Sequence, residues 1–161
     1  MNKRVVVVNA GKMNYDHLLD FSVLSNDVQV YDDSTNAELI ERIQGATVVV
    51  TKELPVGAEL LSQFPESVKL IVEAGTGYNN IDLDAARAKG ITVCNIPAYS
   101  TERVAHTAIM MLLNFASTMQ QQIGMLARGD RSNFTKHLQV PHTEVNGKTL
   151  GIIGAGHIGM A

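Results

Sequence analysis

The sequence predicts an α/β fold built on an open, doubly wound parallel sheet, and three observations point to it. Five short runs rich in Val and Ile follow one another through residues 1–100. Each is followed by a turn and a stretch with helical spacing. The runs are apolar nearly throughout rather than alternating, as in strands buried on both faces of a sheet. Strands that alternate with helices pair in parallel, and the flavodoxin-like arrangement is the expected form.

Arg4–Asn9 (RVVVVN) is the first strand, closed by the turn Asn9-Ala10-Gly11. Tyr15–Phe21 is expected to supply a short helix before the second strand, Asp27–Tyr31, and the turn Asp32-Asp33-Ser34. Ala37–Ile43 reads as a helix because Leu39, Ile40 and Ile43 share one face. Ala46–Thr51 is the third strand and Gly57–Phe64 a short helix. Val68–Glu73 is the fourth strand, and it runs into the glycine-rich loop Ala74-Gly75-Thr76-Gly77. Asp82 has the residue type of an N-cap for a helix through Ala88, which Gly90 closes. Ile91–Asn95 is the fifth strand, stopped before Pro97.

Beyond Pro97 the pattern changes. Ser100 or Thr101 can cap a long helix over 101–119, with Val104, Ala108, Met111, Leu112, Phe115 and Met119 at helical spacing. Ala105, Ile109 and Ala116 widen the stripe until little polar face remains, so burial against a second domain or a second subunit is expected. A polar arm over 120–146 follows, and Thr149–Ile153 is expected to open a new strand after the turn Asn146-Gly147.

Composition excludes several classes. The chain is 45% hydrophobic and 18% charged, within the globular range. A net charge of −3 gives no basic footprint for nucleic acid. No apolar run approaches the roughly 18 residues of a membrane span. Met1-Asn2-Lys3-Arg4 is basic, but Val5–Val8 is too short for a signal-peptide core. Cys94 is the only cysteine, which excludes an internal disulfide or a multi-cysteine zinc site, and no histidine spacing suggests metal ligation. A soluble, cytoplasmic protein without a metal is expected.

Gly154-Ala155-Gly156-His157-Ile158-Gly159 follows that last strand and matches the three-glycine dinucleotide-binding pattern. One glycine permits a tight turn, one lets the backbone approach a pyrophosphate and one allows close helix–strand packing. The anion then sits at a helix N-terminus. At His157 the backbone N–H matters more than the imidazole. The alternative is a chance glycine-rich turn. The helix that should follow, and the acidic residue expected about 20 positions on to hold the ribose, fall beyond Ala161. These residues are therefore expected to be the front part of a longer protein.

Three segments, Glu73–Asp82 (EAGTGYNNID), Asn95–His106 (NIPAYSTERVAH) and Gly147–Gly159 (GKTLGIIGAGHIG), resemble the D-isomer-specific 2-hydroxyacid dehydrogenases in order and spacing. The wording at Gly77–Asp82, and His106 where many members carry Glu, resemble the glycerate dehydrogenase or hydroxypyruvate reductase branch. The resemblance implies a flavodoxin-like substrate domain over residues 1–100 followed by the start of a Rossmann domain over residues 101–161, and a homodimer joined through the 101–119 helix and its arm. It implies NAD or NADP as cofactor, NAD being favoured, and reversible reduction of a small 2-oxo acid to the D-2-hydroxy acid. By resemblance Gly75, Thr76 and Gly77 contact the 2-oxo acid, with Thr76 also near the cofactor. Gly154, Gly156, His157, Ile158 and Gly159 hold the cofactor. The catalytic Arg, Glu and His of the family are expected beyond Ala161, so the 161-residue chain is expected to be inactive alone.

Two readings of the site residues come from position. Ligands gather beyond the carboxyl ends of strands in an open α/β sheet, and the Gly75–Gly77 loop follows the fourth strand there. Glycines without Cβ leave backbone N–H groups free for a carboxylate. Lys52, after the third strand, either adds a cation at the same rim or is an ordinary solvated lysine. Against the enzyme stands a flavodoxin-like binding or dimerisation module, or a remnant. A signalling receiver would need acidic residues past its first strand and an Asp ending its third, where this chain has Asn9-Ala10-Gly11 and Thr51-Lys52.

Overall fold

A computed structural model of the chain describes residues 3–161, so Met1 and Asn2 of the basic start lie outside the described residues. The chain divides into two compact units, one ending at Tyr99 and one beginning at Ser100.

The first unit is a five-stranded parallel sheet of β1 (Val5–Val7), β2 (Val28–Val30), β3 (Val48–Thr51), β4 (Leu70–Glu73) and β5 (Thr92–Cys94), in the order β2-β1-β3-β4-β5. The strand order reverses between β1 and β3, as in the flavodoxin-like arrangement. All five expected strands form, each shorter than its apolar run. Burial falls from the centre outward: every residue of β1 is buried, whereas none of β2 or β5 is.

Helices α1 (Asn36–Arg42), α2 (Ala58–Ser62) and α3 (Leu83–Ala88) connect the later strands. Thr35 and Glu38 form a reciprocal capping box that starts α1, and Glu38 also pairs with Arg42 one turn on, at 2.9 Å. The Asp82 carboxylate accepts from the Ala85 N–H at 2.9 Å, which starts α3 as expected, and Gly90 with φ of +68° follows its end. Leu39, Ile43, Leu60, Leu61, Phe64 and Ala86 pack with Val6, Val8, Val49 and Ile71 into one core. Val5, Val7, Ala10 and Val50 form a smaller cluster, with Met13 and Phe21 against it.

The expected helix over Tyr15–Phe21 does not form. Two short 3-10 turns, Ala10–Lys12 and Phe21–Leu24, take its place. Local side chains compete for the backbone: Asn14 accepts from the Leu19 N–H at 2.8 Å and Asp20 from the Ser22 N–H at 2.9 Å. His17 adopts φ of 58°, outside the helical region.

In the second unit, α4 (Thr101–Ala116) is shorter than the expected 101–119 helix. Thr118 breaks it with φ of 50°, and its hydroxyl donates to the Pro141 carbonyl. The region expected to be a polar arm instead contains α5 (Met119–Ala127) and α6 (Ser132–Thr135). Asn133 organises the turn after them, accepting from Gln139 and Val140 backbone N–H groups. None of the residues of α4 is buried within this chain. Thr149–Ile153 is not a strand, because no neighbouring segment among the described residues pairs with it.

Ile71 is fully buried in β4, between β3 and β5. Ile71→Ala is expected to cost about 2–5 kcal/mol in urea unfolding at neutral pH, from lost burial and the cavity left behind. Val30→Ala on edge strand β2, where Val30 is 43% exposed, should cost less than about 1 kcal/mol.

Candidate functional site

The carboxyl ends of β1, β3 and β4 come together at one edge of the sheet, on the segments Asn9, Thr51–Glu53 and Glu73–Gly77. Where β1 and β3 diverge, Asn9 is fully buried and spans the gap. Its side-chain amide donates to the Lys52 carbonyl at 2.6 Å and its side-chain oxygen accepts from the Lys52 N–H at 2.9 Å. Asn9 thus extends the sheet's hydrogen bonding past the last strand residue and fixes the backbone of Lys52.

Lys52 is not a solvated lysine. Its side chain is 17% exposed, and its ammonium lies 3.3 Å from the Glu53 carboxylate. Burial by itself pushes the ammonium's pKa down. The Glu53 carboxylate and the Tyr99 phenol outweigh that and hold it above its ordinary value of 10.5.

The loop after β4 is held from its other side. The Gly75 carbonyl accepts from the Ile96 N–H at 2.9 Å, the Thr76 hydroxyl donates to the Ile96 carbonyl at 3.0 Å, and the Asn95 amide donates to the Thr76 carbonyl at 2.8 Å. These bonds use the loop's acceptors and the Thr76 hydroxyl. Among the described residues no acceptor faces the backbone N–H of Gly75, Thr76 or Gly77. Three unpaired donors in succession beside an ammonium suit a carboxylate. Space at Gly75 is tight although its φ is ordinary: a Cβ there would stand 3.2 Å from Lys52 Nζ and 3.3 Å from Glu73 Oε1, so one of those side chains would have to shift. The structure therefore brings Lys52 together with Gly75 within the first unit.

Glu73, Asn80 and Asn9 complete this edge and were not singled out by sequence reasoning. Glu73 is fully buried and accepts from the Glu53 N–H at 2.9 Å and the Asn80 amide at 3.0 Å. A lone polar residue ending an apolar strand was the available signal at Asn9 and Glu73 alike.

The second glycine loop belongs to the second unit. Gly154 has φ of +98°, a conformation that favours glycine. A Cβ on Gly159 would collide with the Gly154 carbonyl oxygen, whereas nothing lies within 4 Å of one placed on Gly156. A helical turn opens here, with the Met160 N–H donating to the Gly156 carbonyl at 3.0 Å. The N–H groups of Gly156, His157, Ile158 and Gly159 have no acceptor among the described residues. Gly154 carries the positive φ, Gly156 is open on its Cβ side, and Gly159 leaves room for the Gly154 carbonyl of the same loop. Among the described residues no three His, Cys, Asp or Glu side chains cluster as metal ligands, and no helix is long and apolar enough to cross a membrane.

Fold and loops together define an α/β protein with an anion-suited carboxyl edge and a glycine-rich nucleotide-type loop. Residues 3–146 match the family model of the D-isomer specific 2-hydroxyacid dehydrogenase catalytic domain, and the chain belongs to that family of oxidoreductases. Over 127 residues it is 35% identical to a glycerate dehydrogenase from Methylorubrum extorquens, covering 78% of this chain and 40% of the relative. It is 34% identical over 126 residues to a hydroxypyruvate reductase from Blautia hydrogenotrophica, covering 77% and 39%. A D-lactate dehydrogenase from Aquifex aeolicus, solved with NAD and lactic acid, superimposes with a TM-score of 0.77 at 27% identity, over 98% of this chain and 46% of that one. The chain thus spans about 40% of those two curated relatives and 46% of that structure.

The sign of the Lys52 shift sets a pH test. A lysine whose pKa is raised on folding adds stability that is full below its unfolded value and is lost as pH climbs through the folded value. Lys52→Met is therefore expected to lower stability more at about pH 8 than at about pH 11.5 when urea unfolding is compared with the parent chain at both pH values.

Proposed function

We propose that this chain supplies the substrate unit and the opening of the nucleotide unit of a nicotinamide-dependent reductase of small 2-oxo acids, of the hydroxypyruvate or glyoxylate kind. The observation that carries the reading is the run of unpaired N–H groups at Gly75, Thr76 and Gly77, with the Lys52 ammonium beside Gly75. Those donors bind the substrate carboxylate and orient its 2-oxo carbon, and Thr76 borders the cofactor. Gly154, Gly156, His157, Ile158 and Gly159 hold NAD, with NADP as the alternative. When bound, the nicotinamide supplies the hydride, while the protein positions the reactants and stabilises charge on the substrate oxygen. The Arg that grips the carboxylate and the His–Glu pair that delivers the proton come from residues outside these 161. The protein works in the cytoplasm.

Purified 161-residue chain is expected to show no enzymatic NADH oxidation with hydroxypyruvate, whereas a protein of the relatives' full length containing these residues reduces it. In that longer protein Gly75→Ala should lower kcat/KM about tenfold or more, from misplacement of Lys52 and of the carboxylate donors. An enzymatic rate from the short chain, or no effect of Gly75→Ala in the long one, would contradict the proposal.

The protein pairs with a second copy through the 101–119 region. Met110, Met111 and Phe115 of α4 are 55%, 53% and 82% exposed, and with Asn114 and Thr118 they line an apolar groove of about 390 Å³. A charge placed in such a contact costs far more than one left in water. Phe115→Glu is expected to shift the protein from dimer to monomer in sedimentation equilibrium, and an unchanged dimer would place the interface elsewhere.

A further inference from the structure

We infer that Glu73 is a positioning residue for the substrate carboxylate: it ties the loop after β3 to the loop after β4 and so sets the Lys52 ammonium against Gly75. The inference rests on the substrate-site reading above and assigns a role to a side chain which that reading leaves unused.

A fully buried carboxylate is costly unless hydrogen bonds replace its water. Among the described residues Glu73 has no ion pair, and the nearby Lys52 ammonium pairs with Glu53 instead. Its two oxygens are divided between two loops. Oε1 accepts from the Glu53 N–H at 2.9 Å, and Oε2 from the Asn80 side-chain amide at 3.0 Å. Glu53 has φ of 53°, a left-handed conformation that a residue with a side chain keeps only where its surroundings hold it. The bond from Glu73 is such a hold, and it fixes the residue that follows Lys52.

The second oxygen reaches the β4–α3 loop. The Asn80 amide also donates to the Leu54 carbonyl at 2.8 Å, so Asn80 and Glu73 join the two loops twice. Backbone bonds continue the seam, from the Val56 N–H to the Asn80 carbonyl at 2.8 Å and from the Asp82 N–H to the Val56 carbonyl at 3.0 Å. Lys52 is therefore bracketed, by Asn9 on its own peptide groups and by Glu73 through Glu53. Glu73 also borders the open face of Gly75, with Oε1 3.3 Å from where a Cβ would stand.

Glu73→Gln preserves size but turns one acceptor into a donor, which then faces either the Glu53 N–H or the Asn80 amide. Adding Asn80→Asp restores a donor–acceptor match between residues 73 and 80, although it gives up the bond from Asn80 to the Leu54 carbonyl. The test uses a 15N-labelled protein of the relatives' full length containing these residues, the parent chain, with oxamate as the probe. In the parent chain oxamate is expected to shift the Gly75, Thr76 and Gly77 amides saturably. In Glu73→Gln the Glu53 amide signal moves, and the oxamate Kd rises about tenfold. The Glu73→Gln/Asn80→Asp pair recovers part of that loss, which a purely structural defect would not do. If Glu73→Gln fails to fold, Asn80→Ala takes its place and should weaken oxamate binding in the same direction. A parent chain that responds to oxamate while the folded variants respond equally overturns the role of Glu73 alone. A parent chain whose Gly75–Gly77 amides ignore oxamate overturns the substrate-site reading itself.

Discussion

A parallel sheet has to end its buried central strands at one edge without leaving backbone groups unpaired, and the rest of this site follows from how that is done. Strands β1, β3 and β4 end at one edge, where Asn9 and Glu73 are fully buried. Two side chains stand in for the missing strand residues. Asn9 exchanges two hydrogen bonds with the Lys52 peptide groups, much as a further residue of β1 would do. Glu73 accepts where the β3–α2 loop turns away. These bonds hold the loop backbones from within and leave the N–H groups of Gly75, Thr76 and Gly77 without an acceptor among the described residues.

The balance of charge at that edge follows from the same arrangement. Lys52 is covered too well to be an ordinary surface lysine, and its ammonium is only partly offset by Glu53, whose own side chain is 70% exposed. A cation in a half-dry setting acts more strongly on an anion than one in bulk water. Neighbouring N–H donors add direction to that attraction. The glycine at position 75 lets the Lys52 ammonium and the Glu73 carboxylate close in on the loop, since a Cβ there would crowd both side-chain ends.

What could be read from the sequence was local. The Val and Ile runs marked all five strands, and Asp82 and Gly90 marked the ends of one helix, because each signal and its consequence lie within a few residues. The capping box at Thr35 and Glu38 was equally local, and it places the start of α1 one residue before the expected Ala37. The failed helix over Tyr15–Phe21 shows the limit of spacing alone, since Asn14 and Asp20 redirected the backbone by hydrogen bonds that hydrophobic period does not register. The roles of Asn9 and Glu73 depend on partners 43 and 20 residues away. A single polar residue after an apolar run marks where a strand stops, but only the fold shows which peptide group it serves.

The second unit separates a pattern from the structure it requires. Thr149–Ile153 has the composition of a strand, yet a strand is a pairing between segments, and no segment among the described residues supplies the other side. The glycine loop beyond it behaves differently because its requirements are internal. Gly154 supplies the positive φ and Gly159 clears the Gly154 carbonyl, and both conditions are met by six consecutive residues without outside help. The apolar stripe of α4 is again relational: it specifies that a cover is favourable, while the helix itself forms from local hydrogen bonds whether or not the cover is in place. Features whose partners lie within a few residues are therefore complete here, and the features that need a distant partner are the ones left as pattern.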